Sequence, residues 1–322
     1  MDAAGLKNHN QVLHLNDTAR KIIFILALLF CLFPIMSPPI ALLLGLILAQ
    51  LVENPFSHLN HKAINWLLKI SVVGLGFGMN IFSAIQAGRQ GILFTVASII
   101  TVLTVGIIAG RYLKVDKRTS FLISAGTAIC GGSAIAALSP VIKAEEKQIS
   151  VAMGVIFIFN SIALFIFPVI GHGLHLSQTQ FGLWCAIAIH DTSSVVGAAS
   201  HYGAQALQVA TTVKLARALW IIPVAFITTL AFKTGSKKIS IPYFIGLFIV
   251  AMLVNTYVPF IKPIVPYITS IAKTGLTLTL FLIGSSLSIK VLKSVGVIPL
   301  FQGVMLWILI SGVSLWAVIT LA

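Results

Sequence analysis

The chain has 322 residues, of which 58% are hydrophobic and 9% charged, with a mean hydropathy of +1.05 and a formal charge of +14. Soluble domains carry about a quarter charged residues, so this composition excludes a soluble globular protein and indicates a polytopic membrane protein. A nucleic-acid binder gathers Lys and Arg on a soluble face; here they stand at the ends of apolar segments, which excludes that class as well.

Residues 1–19 are polar and mixed in charge, and read as a cytoplasmic tail. The apolar run after them has no convincing small-residue cleavage site and reads as a retained first helix. Apolar windows follow at about 21–36, 38–52, 64–83, 91–110, 119–142, 150–170, 179–200, 206–232, 240–258, 264–289 and 297–321. The expectation is an all-α membrane protein of about eleven elements, with 20–322 forming one transporter domain. The first two windows are short for a bilayer core of about 30 Å. Ser37-Pro38-Pro39 separates them, because proline lacks the amide a helix interior needs.

The window 119–142 contains Gly126-Thr127-Ala128-Ile129-Cys130-Gly131-Gly132-Ser133-Ala134-Ile135-Ala136-Ala137. A glycine pair inside a membrane helix weakens it and bares backbone amides. Sixty residues on, Ala188-Ile189-His190-Asp191-Thr192-Ser193 aligns without gaps, setting His190-Asp191-Thr192 opposite Cys130-Gly131-Gly132. Paired polar interruptions in hydrophobic segments point to a transporter site at the membrane midplane. Gly76 and Gly284, each followed by a glycine twelve residues later, form a second and weaker internal similarity, which an inverted repeat would explain.

Basic residues set the orientation. If every window crosses once from a cytoplasmic N-terminus, 13 Lys and Arg fall inside, 4 outside and 4 within windows, which accounts for all 21. The N-terminus is therefore cytoplasmic and the C-terminus on the far side. Two geometries suit the interrupted windows. They either cross as broken helices or dip in and return as re-entrant hairpins with arms of about 16 Å. The hairpin geometry moves Lys143 and Lys147 inside, for a balance of 15 to 2.

Half-helix ends present unpaired amides and partial charge to whatever lies between them. Gly131, Gly132 and Ser133, with Cys130, read either as a backbone nest for an anion or as close helix packing. The hydroxyls of Thr192, Ser193 and Ser194 can cap a half-helix or donate to an oxyanion. Asp191 is the acid deepest within an apolar window, and His190 beside it can titrate near neutrality; both are candidates for coupling. Lys214 and Arg217 share a helix face and either snorkel to the surface or line an anion path and balance Asp191. Lys69 and Lys273 suit snorkelling. Asn160, in mid-helix, either bonds to a broken element or binds substrate. The remaining histidines show no metal-ligand spacing, and no phosphate loop, nucleotide fingerprint or nucleophile elbow occurs, so no enzyme chemistry is expected.

The runs 123–136, 190–198 and Val213-Lys214-Leu215-Ala216-Arg217-Ala218-Leu219-Trp220-Ile221-Ile222-Pro223 resemble the YeiH-like bacterial inner-membrane proteins, described as sulfate exporters. The resemblance covers nearly all of the chain from about residue 20. It implies kinship with sodium/proton antiporters, bile-acid symporters and citrate carriers, whose interrupted elements meet at the substrate site and move as an elevator against a scaffold. Residues 20–52 would be scaffold, and 64–232 with 264–322 would contain the core. The implied function is secondary active export of a small oxyanion such as sulfate or sulfite from the bacterial inner membrane. An anion channel and a small organic-anion carrier are the alternatives. The implied partners are the anion, the bilayer and a second copy in a homodimer, with no cofactor beyond a coupling H+ or Na+.

Overall fold

The computed structural model describes residues 16–33, 36–52, 54–232, 243–286 and 295–321. Among these, every regular element is helical: α1 (Asp17–Phe30), α2 (Pro38–Leu51), α3 (Ser57–Gly76), α4 (Ile81–Tyr112), α5 (Lys117–Ala128), α6 (Gly132–Leu138), α7 (Glu146–Gly173), α8 (Gln178–Ala188), α9 (Thr192–Tyr202), α10 (Ala204–Ala218), α11 (Ile221–Phe232), α12 (Tyr243–Tyr257), α13 (Val265–Ser286) and α14 (Val297–Leu321), with a 3₁₀ turn at Pro259–Ile261. Five stretches of described helix are long and apolar enough to cross a membrane: 94–112, 147–173, 204–232, 265–286 and 297–320. The periphery is apolar too, with Leu26, Ile70, Phe226, Leu230, Ile271 and Trp316 exposed, as a surface in contact with lipid requires.

Local chemistry explains where the helices stop and start. Pro38 and Pro39 occupy the first turn of α2, where their missing amides are no loss. The window 206–232, read from sequence as one helix, is interrupted after Ala218. Pro223 has no N–H for the carbonyl of Leu219, four residues back, and the backbone there makes tighter bonds, Leu219 to Ala216 at 3.2 Å and Trp220 to Arg217 at 3.0 Å. The windows 119–142 and 179–200 are interrupted as the sequence anticipates, at 129–131 and 189–191.

The helices pack in two groups. In one, α2 crosses α13 so closely that a Cβ on Gly45 would collide with the carbonyl oxygen of Phe281, and one on Gly284 with that of Leu42. Such small-residue crossings replace the hydrophobic drive that lipid abolishes. Helix α3 lies along the other side of α13, where Asn60 Nδ2 donates to the Leu282 carbonyl at 2.9 Å and to Ser286 Oγ at 2.7 Å. Phe24 of α1 covers α13 through Phe281, with ring centroids 5.4 Å apart. Helix α12 meets α3 at Gly76. Thus α2 and α3 both pack against α13.

The second group holds α4 to α11 and α14. Gln302 of α14, fully buried, donates to the Gly106 carbonyl of α4 at 2.9 Å and to Ser120 Oγ of α5 at 2.8 Å. Trp184 of α8 stacks on Phe167 of α7 at 4.1 Å and donates to the Ser311 carbonyl of α14 at 3.0 Å.

Each interrupted pair folds back on itself. Asp116 caps α5 by accepting from the amides of Arg118 and Thr119, and the same oxygen accepts from Gln148 Nε2 in the first turn of α7 at 2.9 Å. Residues 117–145 therefore begin and end beside the start of α7. Gln178, in the first turn of α8, accepts from the Gln205 amide at 2.9 Å, and Tyr202 OH donates to the Leu176 carbonyl at 2.7 Å. Residues 178–202 thus begin and end beside the end of α7. That helix has 28 residues and is about 42 Å long at 1.5 Å per residue, so the two pairs approach from opposite ends.

Candidate functional site

The two folded-back pairs touch at their tips. Gly131, at φ +62 and ψ −126, lies in a region only glycine enters easily. A Cβ there would stand 3.3 Å from the backbone carbonyl of His190 and 3.2 Å from Ile156. Asn160, from mid-α7, accepts the His190 amide at 3.0 Å. Three elements meet at this point.

Unwinding at 129–131 and 189–191 leaves the last carbonyls of α5 and α8 without helical donors. Helix α10 supplies them. Arg217 donates through Nε to the Ala128 carbonyl at 2.8 Å, again through Nη2 to the same oxygen, and through Nη1 to the Ile187 carbonyl at 3.0 Å. Lys214 donates to the carbonyls of Ile189 at 2.6 Å and Ala186 at 3.3 Å. A cation at a helix C-terminus meets the negative end of the macrodipole, and so a lysine and an arginine can both be 0% exposed in an apolar protein. Their one-turn spacing aims both at the same junction. Both side chains turn inward to carbonyls rather than to the surface, and no ion pair among the described residues joins Asp191 to either.

Asp191 is the N-cap of α9. Its carboxylate accepts from the amides of Ser193 at 2.6 Å and Ser194 at 3.1 Å, from Ser194 Oγ at 2.6 Å, and from Ser193 Oγ. The hydroxyls of Ser193 and Ser194 are therefore spent on Asp191. By contrast, both ring nitrogens of His190, Asn160 Nδ2 and Thr127 Oγ1 are buried without a hydrogen-bond partner. Buried polar groups normally have one, so these four atoms mark the part of the centre with bonding capacity to spare.

Of the sequence candidates, Cys130, Gly131, Asn160, His190, Asp191, Thr192, Ser193, Ser194, Lys214 and Arg217 are all buried, and those whose bonds are described above converge on the junction. Ser133 is exposed and Gly132 half-buried. Sequence reasoning missed two residues. Thr127 lay unremarked inside the glycine-rich run, and Gln302 is a polar residue in an apolar window, a signal that could have found it. A cleft of about 520 Å³ between α4, α5 and α11, lined by Leu103, Ile107, Phe121 and Phe232, reaches none of the junction residues. Among the described residues no three His, Cys, Asp or Glu side chains gather as a metal site would need.

Residues 20–303 match the protein family described as conserved hypothetical protein 698. A UPF0324 membrane protein of Bacteroides thetaiotaomicron is 56% identical over 274 residues, covering 84% of this chain and 83% of the relative. One from Porphyromonas gingivalis is 52% identical, covering 85% and 84%, and one from Vibrio parahaemolyticus 51% identical, covering 89% and 94%. No solved structure matches. With paired interrupted helices, an apolar periphery and about half of its residues shared with these relatives, the chain is a multi-pass membrane protein and belongs to the UPF0324 membrane protein family.

Proposed function

We propose that the protein is a secondary transporter of a small anion, working by alternating access at the junction of the two folded-back pairs. One observation carries this reading: two half-helix C-termini from opposite ends of α7 share one buried arginine, beside polar atoms that have no partner. Irregular backbone at membrane depth is tolerated only where it is enclosed by protein or lines a wet cavity, and transporters place their substrate sites at such breaks. The excess of buried cations over acids favours an anion, and sulfate or sulfite is the species the family resemblance suggests.

In this reading α5–α6 and α8–α9 are re-entrant hairpins, one from each membrane face, among about eleven membrane elements. Hairpin and following helix form a unit that occurs twice in opposite sense, α5–α6 with α7 and α8–α9 with α10–α11, which is an inverted repeat. Lys114, Lys117, Arg118, Lys143 and Lys147 would then share the cytoplasmic face of a bacterial inner membrane, with the C-terminus periplasmic. The group around α2, α3, α12 and α13 would be the scaffold, and the group holding both hairpins the moving elevator. Asp191 already accepts from four donors, whereas the His190 ring has no hydrogen-bond partner, so His190 is the coupling candidate of this reading.

The test is flux of labelled sulfate, sulfite and small carboxylates into proteoliposomes under imposed pH and sodium gradients. Gradient-driven accumulation of any of them supports the carrier; no movement through folded protein defeats it. His190→Gln removes the coupling candidate while keeping a polar side chain, and separates carrier from channel. It should abolish accumulation in a carrier and leave passive flux intact in a channel.

A further inference from the structure

The buried charges at the junction do not balance. Among the described residues the buried charged side chains are Lys214, Arg217 and Asp191. Arginine stays protonated, and Lys214 faces only carbonyl acceptors, which an ammonium satisfies. Asp191 receives four donors, which suits the acceptor-only ionised carboxylate and leaves no acceptor for a carboxylic proton. The four half-helix ends that meet here cancel, since the C-termini of α5 and α8 contribute about −1 and the N-termini of α6 and α9 about +1. What remains is one net positive charge in the interior, and a proton on His190 would only raise it.

We infer that the junction is a one-for-one exchanger of small monovalent anions, a sharpening that rests on the carrier reading. One monovalent anion brings the centre to neutrality; a doubly charged anion takes it to −1 and leaves the imbalance as large as before. Asn160 Nδ2, the Thr127 hydroxyl and the His190 ring, buried at the breaks without partners, are the donors such an ion would use. Hydrogensulfite and small carboxylates or sulfonates fit this class, and sulfate does not. The same count sets the mode of transport. The loaded centre is neutral and moves cheaply. The empty one carries an unpaired charge through the bilayer interior, a penalty that slows its return by at least about 100-fold. Each anion carried one way must therefore be matched by another carried back.

Purified protein in proteoliposomes tests this with radiolabelled sulfite in mildly acidic buffer, where hydrogensulfite predominates, and with radiolabelled sulfate, against protein-free vesicles. The expected result is that labelled hydrogensulfite leaves about 100-fold faster into medium containing hydrogensulfite than into medium containing only gluconate. This exchange should be indifferent to a valinomycin-clamped potential, and sulfate should neither leave nor stimulate it. Sulfate exchange at a comparable rate overturns the charge count, and equally fast efflux into gluconate, with or without a pH gradient, overturns obligatory exchange; either result leaves the carrier reading standing. If neither anion moves under any gradient while circular dichroism shows folded protein, the carrier reading falls and this inference with it.

Discussion

Arg217 donates through Nε to the carbonyl oxygen of Ala128 at 2.8 Å, across 89 residues of sequence. The guanidinium also reaches Ile187, so one side chain ties the breaks of both folded-back pairs to α10. A planar fork with several fixed donors can span two carbonyls, and an ammonium cannot reproduce that geometry. Arg217→Lys should therefore leave at least one buried carbonyl without its charged donor and cost about 1.5–3 kcal/mol. The check is the thermal unfolding midpoint of the detergent-solubilised protein, which should fall well below that of wild type.

Gly131 and Gly132 are adjacent in sequence and unequal in structure. At Gly131 a side chain meets both a left-handed φ of +62 and the His190 carbonyl, so Gly131→Ala should destabilise by about 1–3 kcal/mol and abolish anion flux. At Gly132 the nearest atom to an added Cβ is the flexible Met153 Sδ at 3.4 Å, so Gly132→Ala should leave the unfolding midpoint within a degree or two of wild type. Equal losses in the two variants would mean that the tip does not need its special backbone.

Asn160 accepts the buried amide of His190 through Oδ1. Asn160→Leu removes that acceptor at a buried position, at a cost of about 1–3 kcal/mol. Asn160→Asp keeps an acceptor but adds a negative charge to the centre, which cancels the excess cation. It should therefore hold stability better than the leucine variant while losing anion binding, measured as the loss of anion-dependent thermal stabilisation.

Lys143 takes a positive φ of 51, and the chain closes around it with Ala144 bonded back to the Ser139 carbonyl at 2.9 Å. This is a Schellman-type end with lysine where glycine is preferred. Lys143→Gly relieves a left-handed conformation worth about 1 kcal/mol and should raise the unfolding midpoint without changing flux.

The shared feet of each hairpin make a topological prediction. Cysteines introduced at Lys117 and Lys143 should react with a membrane-impermeant maleimide from the same side of the membrane, and cysteines at Thr179 and Gln205 from the opposite side. Opposite-side labelling at Lys117 and Lys143 would mean that 117–145 crosses the membrane.

Much of the site was legible in the sequence because its causes are local. Glycine at 131 and an aspartate followed by Thr-Ser-Ser interrupt helices wherever they stand, since backbone freedom and N-capping need no distant partner. Pro223 was equally visible, yet the break it makes before α11 went unread inside a long apolar window. Hydropathy, likewise a sum over neighbours, sufficed to mark the membrane-spanning class and the approximate windows.

The tertiary structure alone decided the rest. Whether an interrupted segment crosses or folds back depends on contacts such as Asp116 with Gln148, 32 residues apart. Where Lys214 and Arg217 point depends on carbonyls from 25 to 89 residues away, and a cation's direction is not encoded in its own helix, whose surface and interior faces are both apolar in a membrane. The packing of α2 and α3 against α13 rests on small-residue crossings whose partners hydropathy cannot distinguish. Sequence determined that there are two breaks and that cations outnumber acids within the apolar windows; only the folded chain decided that the two cations of α10 are buried and hold the breaks together.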